Sequence, residues 1–247
     1  MTLLPLLLLL AAALPPSLLH NYLDFVIESL DDLSTARDSI REEIVNKHNE
    51  LRKMVSPPAS DLLMMQWSND AQENAQKWAS QCTFQHSPRE DRKIKNLACG
   101  ENLFMSDYLT SWSSAVQQWY DEVHSFDFGS GPTSSSAVVG HYTQLVWNTS
   151  YLVACGIAEC RDQSWRYLYV CQYCPPGNYV RRKYIPYTIG DPCGSCPNDC
   201  EDGLCTNSCG YQDDYSNCGD LKASVTCKHP MVKEHCKATC NCEGKIH

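Results

Sequence analysis

Residues 153–173, VACGIAECRDQSWRYLYVCQY, decide the architecture. Two runs rich in strand formers, Val153–Cys160 and Trp165–Tyr173, flank a short polar turn at 161–164, which predicts an antiparallel hairpin. With the turn centred on Gln163, Cys155 lies eight residues before the centre and Cys171 eight after it. The two then face each other on neighbouring strands. Opposed Cβ atoms stand about 4.5–5.5 Å apart, near disulfide reach. The segment therefore predicts a sheet stapled through its own hairpin.

Helical patterns precede it. Over 34–55, Ile40, Ile44, His48, Leu51 and Val55 recur at steps of three and four, with Ser34 as N-cap and Ser56-Pro57-Pro58 as the stop. Ala71, Ala75, Trp78, Ala79 and Cys82 make a second stripe over 69–82. Trp112, Ala115, Val116, Trp119, Tyr120 and Val123 make a third over 111–123. The stretch His141–Trp147, HYTQLVW, is rich in β-formers and predicts a further strand, with His141 on the face of Thr143, Leu145 and Trp147. Mixed helix and strand signals predict an α+β domain.

The two ends of the chain set the compartment. Six of the 16 cysteines fall at Cys209, Cys218, Cys227, Cys236, Cys240 and Cys242. A segment of roughly 40 residues cannot bury enough apolar surface to fold without staples. Such a framework needs an oxidising environment. At the other end, residues 2–19 are uncharged and leucine-rich, with the apolar region at Leu3–Ala13. This predicts a secretory signal over 1–19, cleaved between Ala13 and His20. Pro5, Pro15 and Pro16 break it too much for a spanning helix. A secreted protein follows. The formal charge of −9 argues against nucleic acid as a partner.

The cysteines also divide the chain. A large domain ends near Cys174; residues 175–192 carry none and have a linker's composition, with Arg181-Arg182-Lys183 expected to be exposed. Cys193, Cys196, Cys200 and Cys205 form a tight cluster before the last six. Cys171–Cys174 and Cys193–Cys196 have C-x-x-C spacing. In a secreted chain that reads as disulfide rather than zinc or redox chemistry.

Candidate chemistry rests on four side chains. Glu122 sits at the edge of the third helical stripe, where a carboxylate needs a partner. His141 opens the 141–147 stretch, His86 follows Cys82 by four residues, and Glu101 follows Cys99 by two. Two imidazoles with carboxylates suit a borderline divalent metal such as zinc. Taken singly, each of the four reads as structural. No nucleophilic triad is evident, and Ser87 beside His86 would point the other way on an extended chain. Asn148-Thr149-Ser150 is the one N-glycosylation sequon, expected to be exposed at a strand end.

Several motifs carry a specific resemblance: HNELRKMVSPPASDLLMMQWSNDAQENAQKWA (48–79), His86-Ser87, CGENLF (99–104), GHYTQLVW (140–147) and YVCQYCPPGN (169–178). Together they resemble the cysteine-rich secretory proteins of the CAP superfamily, in their mammalian reproductive-tract form. The resemblance implies an α-β-α sandwich over 36–175, with helices on both sides of a central antiparallel sheet. It implies a linker and stapled hinge over 176–208, and a small cysteine-rich domain over 209–247 similar to the ShKT channel toxins.

It also implies a cleft in which His86 and His141 bind zinc weakly, with Glu101 and Glu122 supporting them. The implied disulfides are Cys82–Cys160, Cys99–Cys174, Cys155–Cys171, Cys193–Cys200, Cys196–Cys205, Cys209–Cys242, Cys218–Cys236 and Cys227–Cys240. The function it implies is non-enzymatic binding in sperm maturation, capacitation and sperm–egg interaction. The implied partners are sperm or egg surface proteins, an ion channel for the tail, and sterol, which some relatives bind. A zinc-dependent hydrolase and a sterol or lipid carrier are the competing readings. In the tail, CKHPM (227–231) is close to the toxin loop. The pore-plugging Lys-Tyr pair is replaced by Val232 and Lys233, which argues against toxin-like pore block.

Overall fold

A computed structural model of the chain describes residue 27, residues 29–95 and residues 97–247. The signal expected at 1–19 lies outside the described residues. The hairpin forms as its sequence dictates: β3 (Leu152–Glu159) pairs antiparallel with β4 (Tyr167–Cys174), and Cys155 stands opposite Cys171. The two are joined by a disulfide. On the far side of β4 lies β2 (Gly100–Ser106), also antiparallel. The short β1 (Gln66–Trp67) completes the sheet in the order β1-β3-β4-β2 and runs parallel to β3, so the implied antiparallel sheet has one parallel edge.

Both faces of the hairpin are covered, which is why every residue of β4 is buried. Side chains alternate across the sheet. Tyr167, Tyr169, Cys171 and Tyr173 pack with α1 (Asp38–Lys53) and α3 (Trp112–Asp121). Leu168 and Val170 pack with Ala75 and Ala79 of α2 (Asn69–Ala79). Gly156 lets that second layer close, since a Cβ there would stand 2.4 Å from the Gln76 Cα. The α-β-α sandwich follows. α1 begins at Asp38 with Arg37 as its N-cap, not at Ser34, which instead ends a single 3-10 turn at Leu30–Leu33.

The expected strand at 141–147 is a helix, α4 (Gly140–Leu145). Its β-formers are overridden by two partners distant in sequence. At its start the Glu122 carboxylate accepts the N–H groups of His141 and Tyr142, at 2.9 and 3.0 Å. Beyond its end the buried Arg52 guanidinium donates to the carbonyls of Leu145 and Trp147, both at 2.8 Å. Those bonds satisfy groups that a helix terminus otherwise leaves orphaned.

Residues 176–192 form a strap laid on the large domain rather than a free linker. Tyr187 is buried, Ser60 N–H donates to the Thr188 carbonyl, and Gly190 N–H donates to the Pro58 carbonyl. Arg182 is partly covered. It stacks over Trp147 at 4.9 Å and donates to Asn148 Oδ1 at 2.9 Å. The hinge, with β5 (Cys200–Glu201) and β6 (Leu204–Cys205), is equally attached through Cys205 N–H to the Leu62 carbonyl and Met64 N–H to the Cys205 carbonyl. The tail holds three short helices, α5 (Cys218–Val225), α6 (Pro230–His235) and α7 (Lys237–Asn241).

Eight disulfides join all 16 cysteines, in the pairs the resemblance implies. None links the part up to Cys174 to the part from Cys193. The tail alone has three, consistent with a module that has little core of its own.

The sequon is corrected. Asn148 is only 5% exposed, and its Nδ2, the atom a glycan would occupy, donates to Asp61 Oδ2 at 2.7 Å. In the folded chain that nitrogen is covered and already paired.

Candidate functional site

Four elements converge on one open cleft of about 620 Å³. β2 supplies Glu101 and Asn102, the loop after α2 supplies His86, the start of α4 supplies Gly140 and His141, and the strap supplies Asn178, Lys183 and Tyr184. The sheet register places Glu101 opposite Gln172 of β4. Glu101 Oε1 accepts from His86 Nδ1 at 3.1 Å and Ser87 N–H at 2.9 Å. Its Oε2 accepts from Ser87 Oγ at 2.7 Å and Gln172 Nε2 at 3.3 Å. Burial by itself would raise this carboxyl. The hydrogen bonds from His86 and Ser87, with the Arg92 charge, outweigh burial and hold it below the ordinary carboxylate range.

The second pair mirrors the first. Glu122 stands at the C-cap of α3. Its Oε1 accepts from His141 Nδ1 at 2.6 Å, while Oε2 takes the two backbone N–H groups of α4. His141 also lies nearly parallel to the Trp119 ring, 6.4 Å between centroids. A carboxylate accepting from Nδ1–H fixes each histidine in the tautomer whose Nε2 carries the lone pair. This is how histidines are held behind a metal.

A buried relay supports the site from behind. His48 Nδ1 donates to the Ile44 carbonyl at 2.7 Å, and its Nε2 accepts from Tyr173 Oη at 2.9 Å. Asn102 Nδ2 donates to Tyr173 Oη and to the His141 carbonyl, at 3.3 and 3.1 Å. The strap is tied in through Asn178, which takes a left-handed backbone at φ +58°. Its Nδ2 donates to the Gly140 carbonyl at 2.8 Å and its Oδ1 accepts from Thr143 Oγ1 at 2.6 Å.

The fold thus brings together all four residues singled out in the sequence, as two His–Glu pairs. Ser87, Gln172, Asn102 and Asn178 escape sequence reading. Gln172 had one signal, a lone amide in the otherwise apolar or aromatic run YLYVCQYC. Ser87 turns toward Glu101 with its neighbour His86, because both lie in a loop and not on an extended strand.

By chemistry, two imidazoles with carboxylates behind them suit a divalent cation, but no three of His86, Glu101, Glu122 and His141 bring ligand atoms within 4.8 Å of one another. Among the described residues, the one trio of His, Cys, Asp or Glu ligand atoms within 4.8 Å of one another is Cys193, Cys196 and Cys205. Those sulfurs are spent in disulfides, so they offer no thiolate.

Comparison with known proteins agrees with this geometry. The model of the cysteine-rich secretory protein family, CAP, matches residues 45–173, and the Crisp model matches residues 193–247. The chain belongs to the cysteine-rich secretory protein family. It is 59% identical over 247 residues to cysteine-rich secretory protein 1 of Mus musculus, covering 100% of both chains. It is 54% identical over 248 residues to cysteine-rich secretory protein 3 of Homo sapiens, again covering 100% of both. Among solved structures, NaASP2 with Zn2+ superposes with a TM-score of 0.57 at 30% identity, covering 69% of this chain and 96% of that one. The mouse and human relatives are named as secretory proteins and not as enzymes. With eight disulfides, the chain has the chemistry of an oxidising, extracellular compartment. Among the described residues no helix is long and apolar enough to cross a membrane.

Proposed function

We propose that the chain is a secreted, non-enzymatic binding protein of the sperm-associated kind. It acts in sperm maturation, capacitation and sperm–egg interaction, and its tail modulates an ion channel. His86 and His141 bind zinc weakly within the cleft. The observation that carries the non-enzymatic reading is the use of the carboxylates. Every oxygen of Glu101 and Glu122 already accepts from a histidine, a serine, an amide or the α4 backbone. A zinc hydrolase holds its metal with three protein ligands and keeps a base for the attacking water. Here two ligands remain and no carboxylate is left over as base. The zinc-bound form of the similar NaASP2 supports metal binding in this fold.

The tail supports channel modulation through its exposed loop. Lys228, His229, Met231 and Lys233 are exposed, while Val232 is buried in the tail's own core. The lysine that would follow Met231 in a pore-plugging toxin is therefore replaced by a structural residue.

The test compares wild type with Glu101→Gln/Glu122→Gln, each secreted and folded. We expect equal binding to sperm and egg surfaces within twofold, and no zinc-dependent turnover of peptide or ester libraries by either. Reproducible zinc-dependent hydrolysis by wild type, abolished in the variant, would establish the hydrolase instead.

A further inference from the structure

A second cavity, of about 610 Å³, lies between the strap and the tail. It is well within the size range of small-molecule sites, and it sits where two domains meet, a common place for them. The two domains are fixed to each other at its edge. Gln212 of the tail accepts from Ala98 N–H at 3.4 Å and donates to Tyr179 Oη of the strap at 2.9 Å. Of the cavity's lining residues only Val180 is shared with the His–Glu cleft.

Three features of the lining are unusual together. Tyr179, Tyr211 and Tyr215 are 41%, 42% and 43% exposed, so three aromatic rings from two domains share one concavity and are only partly covered. The strap contributes two cations, Arg181 and Arg182. Arg182 is committed to Trp147 and Asn148, whereas Arg181 is exposed and has no ion pair among the described residues. The tail contributes two carboxylates, Asp213 and Asp214. Asp213 caps Thr239 N–H at 3.0 Å, and the exposed Asp214 accepts from His235 Nδ1 at 2.8 Å. The cavity is therefore aromatic, with positive charge on its strap side and negative charge on its tail side.

A ligand that satisfies all three features is a compact zwitterion with a bulky cation. Aromatic rings backed by a carboxylate select quaternary ammonium groups. A guanidinium selects phosphate through paired N–H donors. We propose that this cavity binds phosphocholine, with the trimethylammonium group among Tyr211, Tyr215 and Asp214 and the phosphate at Arg181. The same chemistry reaches the protein either as free phosphocholine or as the headgroup of phosphatidylcholine in a membrane.

Calorimetric titration of the full disulfide-bonded protein with phosphocholine, choline chloride and inorganic phosphate tests the proposal. Phosphocholine binds at least tenfold more tightly than either half. Tyr211→Leu/Tyr215→Leu weakens it at least tenfold, and Arg181→Glu at least fivefold. All three positions are exposed, so the variants should fold, and an unchanged near-ultraviolet dichroism spectrum checks that they do. Sedimentation with phosphatidylcholine vesicles then separates the sources. Capture that free phosphocholine reverses identifies the membrane headgroup, and capture of free phosphocholine alone identifies the soluble ligand. Equal affinity for inorganic phosphate and phosphocholine would overturn the proposal. So would undiminished binding by the tyrosine variant, or equal capture by phosphatidylglycerol vesicles.

Discussion

Two buried residues carry charge or protons where water cannot help them, and both make the fold sensitive to pH. His48 is fully buried. Burial holds its imidazole down at about 4, with the Arg52 charge adding to the effect and the bond to the Ile44 carbonyl opposing it. In the unfolded chain the same group titrates near 6.5. Folding therefore requires the neutral ring. The stability it contributes is complete above about pH 6.5 and is lost as pH falls toward 4, by about 3 kcal/mol in all. Urea unfolding of the oxidised protein should show that loss, and His48→Gln should flatten it between pH 7 and 4.5. Glu101 acts in the same direction at lower pH. Its depressed carboxyl stabilises the fold above the ordinary carboxylate range and ceases to as it protonates. Asn148 gives the second residue-scale expectation. Mass spectrometry of the secreted protein should find no N-linked sugar there. Asn148→Ala should cost about 1–3 kcal/mol, because Asp61 and Arg182 each lose a buried partner.

At the scale of elements, α4 depends on residues far from it in sequence. Its first N–H groups are satisfied by Glu122, 19 residues away, and its last carbonyl by Arg52, 93 residues away. Glu122→Ala should melt this short helix locally and misplace His141, weakening zinc binding at least tenfold in calorimetry. Arg52→Leu should destabilise the whole domain by more than 3 kcal/mol, since the carbonyls of Leu63, Leu145 and Trp147 would be buried without donors. The same facts explain what the sequence could reveal. The hairpin was legible because its pattern, turn and opposed cysteines all lie within about 20 residues. α4 was not, because HYTQLVW favours a strand by composition and its helical caps arrive only with the tertiary fold. His86, Glu101, Glu122 and His141 were legible through their motifs, not through any metal-ligand spacing. Gln172 and Asn102 needed the β2–β4 register before they could be assigned to the cleft.

Beyond the polypeptide itself, the parts of the molecule are held together by non-covalent attachment and not by disulfides between them. Composition marked residues 175–192 as a linker, since prolines, glycines and an Arg-Arg-Lys run are what a mobile connection would contain. Packing reverses that expectation. The strap and hinge bond to the loop over residues 58–64 through Ser60, Gly190, Leu62, Met64 and Cys205. Lys53 of α1 pairs with Asp202 of the hinge. No disulfide crosses from the part up to Cys174 to the part from Cys193, so non-covalent contacts alone, these together with those of Arg182 and Gln212, would hold a nicked chain together. Arg181 is exposed, whereas Arg182 is stacked on Trp147, so mild trypsin should cut first after Arg181. The cut leaves an amino-terminal fragment with three disulfides and a carboxy-terminal one with five. In native buffer the two should stay together on gel filtration, because the hinge remains paired with Leu62 and Met64. In denaturant they should separate without any reducing agent. Release of a free tail under native conditions would mean that the strap is the mobile linker its composition suggests. Failure to separate in denaturant would mean that a disulfide crosses the boundary.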